Sequence, residues 1–396
     1  MATVATATAT EASEAASATV SATGEGLVDI SVSLVSGKSV VLHMPWDSKA
    51  SAVKQDAAEK LGFGGEDVEL VLGGHPVRDD LSALELSKAL VKLVVLSSGQ
   101  IAFANKFRIA VVSGSTLKEC LALDLGQTQR RSPYVVSWNP VNITMLAVRA
   151  KNLAWIYDIS TGQEPWSRKF QQVAGVETSD FQWTADGRKL IFASSREVII
   201  CDIASGTEEI LTQESDVFGL SLHPDNVLLA IARIDGISLF DLVQGQEKDN
   251  WHVEQPAAHL KWDPSGGFLA SAEINASLRI LSLEGELKWK LRQSDAAHQM
   301  GMQDSLTGLA WSPCEPLLAF SSSMGSSFQV FNAATGKVAW KSAALGPFAD
   351  FAWNYNGLKL AAASPRGAIH VFSVQGDLLK SLELTGPVTS LTWSSA

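Results

Sequence analysis

A tryptophan-centred motif returns at nearly constant spacing along most of this 396-residue chain. It reads Trp138 in VVSWNP, Trp183 in FQWTADG, Leu222 in LSLHPD, Trp262 in LKWDPSG, Trp311 in LAWSPC, Trp353 in FAWNYNG and Trp393 in SLTWSSA. The intervals are 45, 39, 40, 49, 42 and 40 residues. A period near forty carrying four short apolar runs per unit is the signature of a bladed β-propeller, because each unit can bury its faces only against its neighbours.

A second ladder, offset from the first, repeats an apolar pair, a small polar residue, another apolar residue and a glycine. Its glycines are Gly126, Gly162, Gly206, Gly245, Gly285, Gly336 and Gly376. Seven glycines against seven anchors predict a seven-bladed ring, with each glycine ending a half-buried strand at a turn that needs positive φ. Gly126 precedes the first anchor, and Trp393 has no strands after it. The two ends therefore complement each other: residues 388–393 are expected as the innermost strand of a blade otherwise built from the start of the repeat region, paired with residues 106–113. Closure of that kind removes open sheet edges. The run QIAFA at 100–104 competes for the same innermost place.

Residues 100–396 resemble the WD-repeat family, most clearly in the turns SWNP, WDPSG and WSPC. Where that family has Trp-Asp, this chain has Tyr157-Asp158, Cys201-Asp202, Phe240-Asp241 and Leu123-Asp124, then Leu281-Ser282, Phe331-Asn332 and Phe372-Ser373. The Gly-His pairs typical of the family are absent, so the resemblance implies a propeller with only part of its usual hydrogen-bonded network. Trp166, Trp289 and Trp340 each follow a ladder glycine by four residues, and NAATGKVAW is similar to the tryptophan-docking repeat of quinone-cofactor dehydrogenases. That alternative implies an exported eight-bladed enzyme, whereas seven glycines and no export signal favour tryptophans that simply cover the gaps between blades.

The first hundred residues have another character. Residues 1–26 are rich in Ala, Thr and Ser without an apolar run and are expected to form a disordered leader. No Lys or Arg precedes Lys38, which argues against secretory and Arg-rich transit signals. From 27 to 96 the order is two strands joined at SGK, a helix capped by Asp47 over SKASAVKQDAAEKLG, the strand VELVLGG, a turn and the strand VKLVVL. This ββαββ order, with SLVSGKSVVL, AVKQDAAEKLG and VELVLGGHPVRDDLSALEL, resembles ubiquitin, making the chain a small α+β domain followed, after a linker at 97–104, by an all-β propeller at 105–396. The segment does not end in a Gly-Gly carboxylate, and His75 stands in place of the usual chain-linking lysine. The resemblance implies a recognition surface of Val35, Val71 and Val94, docking on a ubiquitin-reading receptor such as the proteasome.

Composition narrows the remaining classes. A net charge of −11 and a pI near 5.2 disfavour a nucleic-acid backbone as partner. No apolar run reaches the ~18 residues of a membrane span. Cys120, Cys201 and Cys314 are too scattered for a zinc site or an obvious disulfide framework. Among the seven histidines, His252 and His259 with nearby Asp263 are the nearest thing to an acid–base group, and solvated loop histidines are the plainer reading. Neither a phosphate loop nor a His-Glu-x-x-His pair is present. No catalytic residue, metal site or cofactor is expected.

Binding can be placed more firmly than chemistry. Loops between the second and third strands of each blade gather on one face, and they read SGST, VRAKN, SSREV, RIDG, EINAS, SMGSS and SPRG. Arg149, Lys151, Arg196, Arg233 and Arg366 make this rim basic on an acidic protein, which suits an acidic or phosphorylated protein client. The insertion at 293–305 opens on the same face. The sequence therefore predicts a non-catalytic adaptor acting in the cytoplasm or nucleus, ahead of a quinone-type enzyme and a translation- or RNA-associated scaffold.

Overall fold

The computed structural model describes the N-terminal hundred residues in part (17–23, 27–33, 39–45, 47–49, 52–53, 55–56, 68–72, 75–76, 91–95 and 99–100). Beyond these it describes all residues except 106–107, 115–116, 125–132, 151–152, 170–180, 254, 274–276, 293–304, 324 and 395–396. The chain divides into two units, with the second spanning Gln100–Ser395.

In the first unit, β1 (Ser17–Thr23), β2 (Leu27–Ser33) and β3 (Ser39–Pro45) form one antiparallel sheet, while β4 (Val68–Leu72), β5 (His75–Pro76) and β6 (Val91–Val95) form another in the order β5-β4-β6. One segment differs from the sequence reading. Ser17–Thr23 is a strand in register with Leu27–Ser33, although it falls in the leader expected to be disordered; its Thr and Val residues suit a strand once a partner lies alongside. Of the ββαββ order expected over 27–96, the described strands β2, β3, β4 and β6 occur in that sequence order, in two antiparallel sheets. Of the helix expected after Asp47, residues 52, 53, 55 and 56 are described as helical; Val53 is buried, as is Leu42 on β3.

The second unit is a seven-bladed propeller. Its strands are β7 (Gln100–Asn105), β8 (Arg108–Ser113) and β9 (Glu119–Asp124) in blade I; β10 (Pro133–Trp138), β11 (Met145–Ala150), β12 (Leu153–Asp158) and β13 (Gln163–Lys169) in blade II; and β14 (Phe181–Trp183), β15 (Lys189–Ser194), β16 (Glu197–Asp202) and β17 (Glu208–Thr212) in blade III. Blade IV comprises β18 (Val217–Leu222), β19 (Leu228–Arg233), β20 (Gly236–Asp241) and β21 (Gln246–Trp251), and blade V β22 (Ala257–Trp262), β23 (Phe268–Glu273), β24 (Ser277–Ser282) and β25 (Leu287–Arg292). Blade VI comprises β26 (Leu306–Trp311), β27 (Leu317–Ser322), β28 (Gln329–Asn332) and β29 (Lys337–Lys341), and blade VII β30 (Asp350–Trp353), β31 (Lys359–Ser364), β32 (Ala368–Ser373) and β33 (Leu378–Glu383). Finally β34 (Val388–Trp393) returns to blade I, whose order is β34-β7-β8-β9.

Every anchor residue thus ends the innermost strand of a blade. Second strands are buried along nearly their whole length, as in β19 and β27, because they lie between sheet neighbours and between blades. Fourth strands are mostly exposed, as in β21.

Closure confirms the innermost strand and corrects its partner. Residues 388–393 pair with Gln100–Asn105, with Trp393 opposite Ile101 and Val388 opposite Asn105, rather than with 106–113. QIAFAN is the second strand of the blade and no rival for the first. Its five consecutive buried residues, Ile101 to Asn105, fit that sandwiched place, so the propeller begins at Gln100 and the expected 97–104 linker is largely strand.

Blade I also breaks the glycine ladder. In the other blades the glycine lies in the turn between third and fourth strands, as at Gly336, whose N–H donates to the Asn332 carbonyl at 2.9 Å. The equivalent turn of blade I follows β8, and there the N–H of Leu117 donates to the Ser113 carbonyl at 2.9 Å, with Leu117 at φ 56°. Gly126 comes after the fourth strand and lies outside the described residues, and Asp124 ends that same outer strand. LALDLG therefore copies the ladder text at the wrong strand. SGST is correspondingly a third-to-fourth-strand turn, and the true second-to-third-strand loop of blade I falls between Asn105 and Arg108.

Candidate functional site

Antiparallel order puts the second-to-third-strand loops and the interblade connections on one end of the ring. The cation-bearing positions expected there behave differently from one another. Arg149, the penultimate residue of β11, is 3% exposed, donates from Nη2 to the Ala193 carbonyl at 2.9 Å and lies over the Phe192 ring at 6.0 Å. Its charge is spent joining blade II to blade III. Arg233, 5% exposed, sits between Asp235 at 3.4 Å and Glu247 at 3.2 Å. Neither guanidinium forms part of a solvated rim, because each side chain folds back into the ring. Arg196 does project: its side chain is 63% exposed, with Asp216 at 3.7 Å. Arg366 is exposed too, its backbone N–H held by Ser364 Oγ at 3.2 Å. Lys151 and most of the 293–305 insertion lie outside the described residues, as does Val35; Val71 and Val94 fall on β4 and β6 without a described side chain.

Ser195, beside Arg196, has φ 56°, and its hydroxyl donates to Asp216 Oδ1 at 2.9 Å. The Gln213 N–H reaches the Arg196 carbonyl at 2.7 Å. This turn is therefore tied to the connection leading into blade IV, giving Arg196 a fixed base.

Along the axis runs a cavity of about 260 Å³ lined by inner-strand residues, including His259, Lys261, Thr307, Asp350 and Ser390. Sequence reading missed Asp350, whose only signal was a carboxylate three residues before the anchor Trp353, at the start of an otherwise apolar inner strand. Its Oδ2 accepts from Ser390 Oγ at 2.9 Å and from the Leu391 N–H at 3.1 Å, and its Oδ1 from the Phe351 N–H at 2.9 Å. Burial pushes its carboxyl above the usual range, opposed by those donors and by Lys261. On the other side of β34, Ser390 Oγ and Thr392 Oγ1 accept from the N–H groups of Val136 and Trp138 at 3.4 Å each. The channel's polar groups thus staple the closing strand to blades VII and II.

The same economy accounts for the histidines. His259 lines the channel whereas Asp263, buried in the turn beyond β22, accepts from the Phe268 N–H at 2.6 Å; His252 precedes the opposite end of that strand. They do not form an acid–base group. His223 Nε2 bonds the Gly266 carbonyl at 3.1 Å and its ring meets Trp262 edge-on at 4.9 Å. His370 is packed near Phe348 and Phe372 with Nδ1 2.8 Å from Ser381 Oγ, and burial lowers its pKa. Burial, with the Glu208 charge second, pushes the Cys201 thiol up to about 11, so it is no ready nucleophile. Among the described residues no group of three or more His, Cys, Asp or Glu could hold a metal, and no helix is long and apolar enough to cross a membrane.

The outer tryptophans dock between blades. Trp289 Nε1 donates to the Ala333 carbonyl at 3.0 Å and Trp340 Nε1 to the Val374 carbonyl at 2.9 Å, each reaching the next blade. Their rings, with that of Trp251, lie against Gly336, Gly376 and Gly285 respectively. Inner anchors work likewise: Trp183, Trp311 and Trp353 donate to the carbonyls of Ser137, Lys261 and Ala310 in the preceding blade.

No family model matches the chain, and no curated protein matches it. Among solved structures, a chain of the crystal structure of the mitotic checkpoint complex is similar to this one, with a TM-score of 0.55 and 18% sequence identity, over 66% of this chain and 83% of that chain. At that identity the likeness concerns the fold alone, a seven-bladed propeller.

Proposed function

We propose that this protein is a non-catalytic protein-interaction scaffold whose loop-bearing propeller face holds an acidic client. The observation carrying the reading is the division of labour among polar groups: those in the channel and walls, such as Asp350, Arg149 and His223, are committed to joining blades, whereas Arg196 projects from a rigid turn into solvent. Arg366 supplies a second exposed guanidinium from blade VII. A planar guanidinium on a fixed base suits bidentate recognition of carboxylate or phosphate. Arg149 and Arg233 would act by shaping the loops, and Lys151 would add charge from the β11–β12 loop. The similar chain comes from a multiprotein complex, which accords with this role.

The sequence resemblance of residues 27–96 to ubiquitin supports the finer reading that Val35, Val71 and Val94 dock on a ubiquitin receptor such as the proteasome. Affinity capture with Arg196→Glu/Arg366→Glu full-length protein tests the client face. The double variant should lose its clients and the salt dependence of their capture, while Val71→Asp should lose ubiquitin receptors alone. Retention of the same proteins by the arginine variant at every salt concentration would refute the client-face assignment.

A further inference from the structure

The outer edges of the seven blades are not equally guarded. A fourth strand leaves one row of backbone N–H and C=O groups without a sheet neighbour, and proteins blunt such edges with bulges, lysine or proline. Six of these strands show a register shift against the third strand: β9, β13, β21, β25, β29 and β33. Other devices are superposed on the shifts, such as Pro165 on β13, Lys248 on β21 and Lys288 on β25. β17 has none of them. It pairs in unbroken register with β16, from Glu197 opposite Thr212 to Cys201 opposite Glu208, and EEILT contains neither lysine nor proline.

What β17 does present is chemically specific. Ile210 is 46% exposed, flanked by exposed Glu209 and partly buried Leu211. Glu208 is held by Arg168 of the preceding blade, which leaves Glu209 as the carboxylate more open to a newcomer. We propose that the edge of β17 is a strand-addition site for an extended basic–apolar segment of a partner protein, separate from the loop-bearing face. The incoming segment would form backbone hydrogen bonds along Glu208–Thr212, set a cation against Glu209 and cover Ile210 with an apolar side chain. Charge complementarity selects basic over acidic strands, and the straight register makes the edge receptive where the six shifted edges are not.

The test uses full-length protein and a fluorescein-labelled peptide of alternating lysine and valine. The peptide should bind saturably and slow amide exchange at 208–212 without slowing it on β21 or β25. Glu209→Lys should weaken binding at least tenfold, and so should N-methylation of alternate peptide residues, which removes backbone donors without touching the protein's fold. Lys288→Glu on β25 should leave binding unchanged. Equal binding by the N-methylated peptide, or by the Glu209→Lys variant, would overturn the proposal. So would absence of peptide binding together with a concentration-dependent self-association that Glu209→Lys abolishes, since the occupant would then be a second copy of this chain.

Discussion

Two arcs of the ring hold their blades together by different means. From blade IV to blade VII, an outer tryptophan of one blade lies on the turn glycine of the next: Trp251 on Gly285, Trp289 on Gly336 and Trp340 on Gly376. In the other arc, a Cβ added at Gly206 or Gly245 would meet nothing within 4 Å, and Leu117 takes the glycine's place in blade I. In that arc the blades meet through apolar clusters, to which polar links are added: Arg149 to Ala193, and β34 stapled by Asp350, Ser390 and Thr392. One repeat sequence therefore supports two kinds of turn: one covered by a tryptophan ring of the preceding blade, and one left open.

The largest effect is expected from breaking the arc that lacks tryptophan clasps. Removing residues 388–396 takes away Val388, Leu391 and Trp393, all buried, and strips β7 of its inner neighbour. At roughly 1.5–3 kcal/mol per buried apolar side chain, the loss should exceed about 5 kcal/mol. Cooperative unfolding in urea should disappear. A truncated protein with the parent's midpoint would show that β34 contributes little to closure.

Next comes a pair of matched substitutions. Gly336→Ala places a Cβ 2.3 Å from the Trp289 ring at φ 70°, so overpacking adds to backbone strain and the cost should reach roughly 3 kcal/mol. Gly206→Ala meets only the strain of its φ of 69° and should cost about 1 kcal/mol. Equal midpoint shifts in chemical denaturation would erase the distinction between the arcs.

Most of this architecture was legible because period and alternation are carried by side chains that pack. All seven anchors end inner strands, including Leu222, which keeps the position without an indole. The errors share one physical cause: local text does not reveal a strand's rank within its blade. LALDLG and ICDIASG look alike, yet the first ends a fourth strand and the second a third, so the ladder slipped by one strand in blade I and carried the closure partner with it. The burial of Arg149 and Arg233 was illegible for a related reason. Arg149 and Arg196 both lie near loop glycines or small residues in the sequence, but which guanidinium turns into the wall depends on the neighbouring blade, here the Ala193 carbonyl and the Phe192 ring. Asp350 was overlooked because its partners, Ser390 and Leu391, lie forty residues away across the closure.

A smaller effect should follow Trp289→Phe. The ring remains apolar, but the Nε1–H bond to the Ala333 carbonyl is lost, for about 1 kcal/mol. Combined with Gly336→Ala, the costs should be less than additive, because the smaller ring relieves the crowding that the new Cβ creates. Strict additivity in a double-mutant cycle would mean that the ring and the glycine do not form one joint.

The smallest expected effect lies within the clasped arc and depends on pH. His370, on β32, faces Ser381 and lies near the rings of Phe348 and Phe372; burial lowers its pKa from 6.5, while Glu383 pulls the other way. With the folded value below the unfolded one, the unfolded chain takes up the proton first as pH falls. Stability from this group is therefore complete above pH ~6.5, declines as pH drops through that value, and levels off once the folded histidine also protonates. Asp350 has the opposite sign: its raised carboxyl pKa means that the folded chain holds its proton longer, so its contribution falls as pH rises through the acid range. His370→Gln should flatten the pH dependence just below neutrality while leaving the acid limb, to which Asp350 contributes, unchanged. Urea midpoints at half-unit steps from pH 7.5 to 4.5 resolve the two limbs, and an unchanged upper limb in the variant would show that a group other than His370 titrates there.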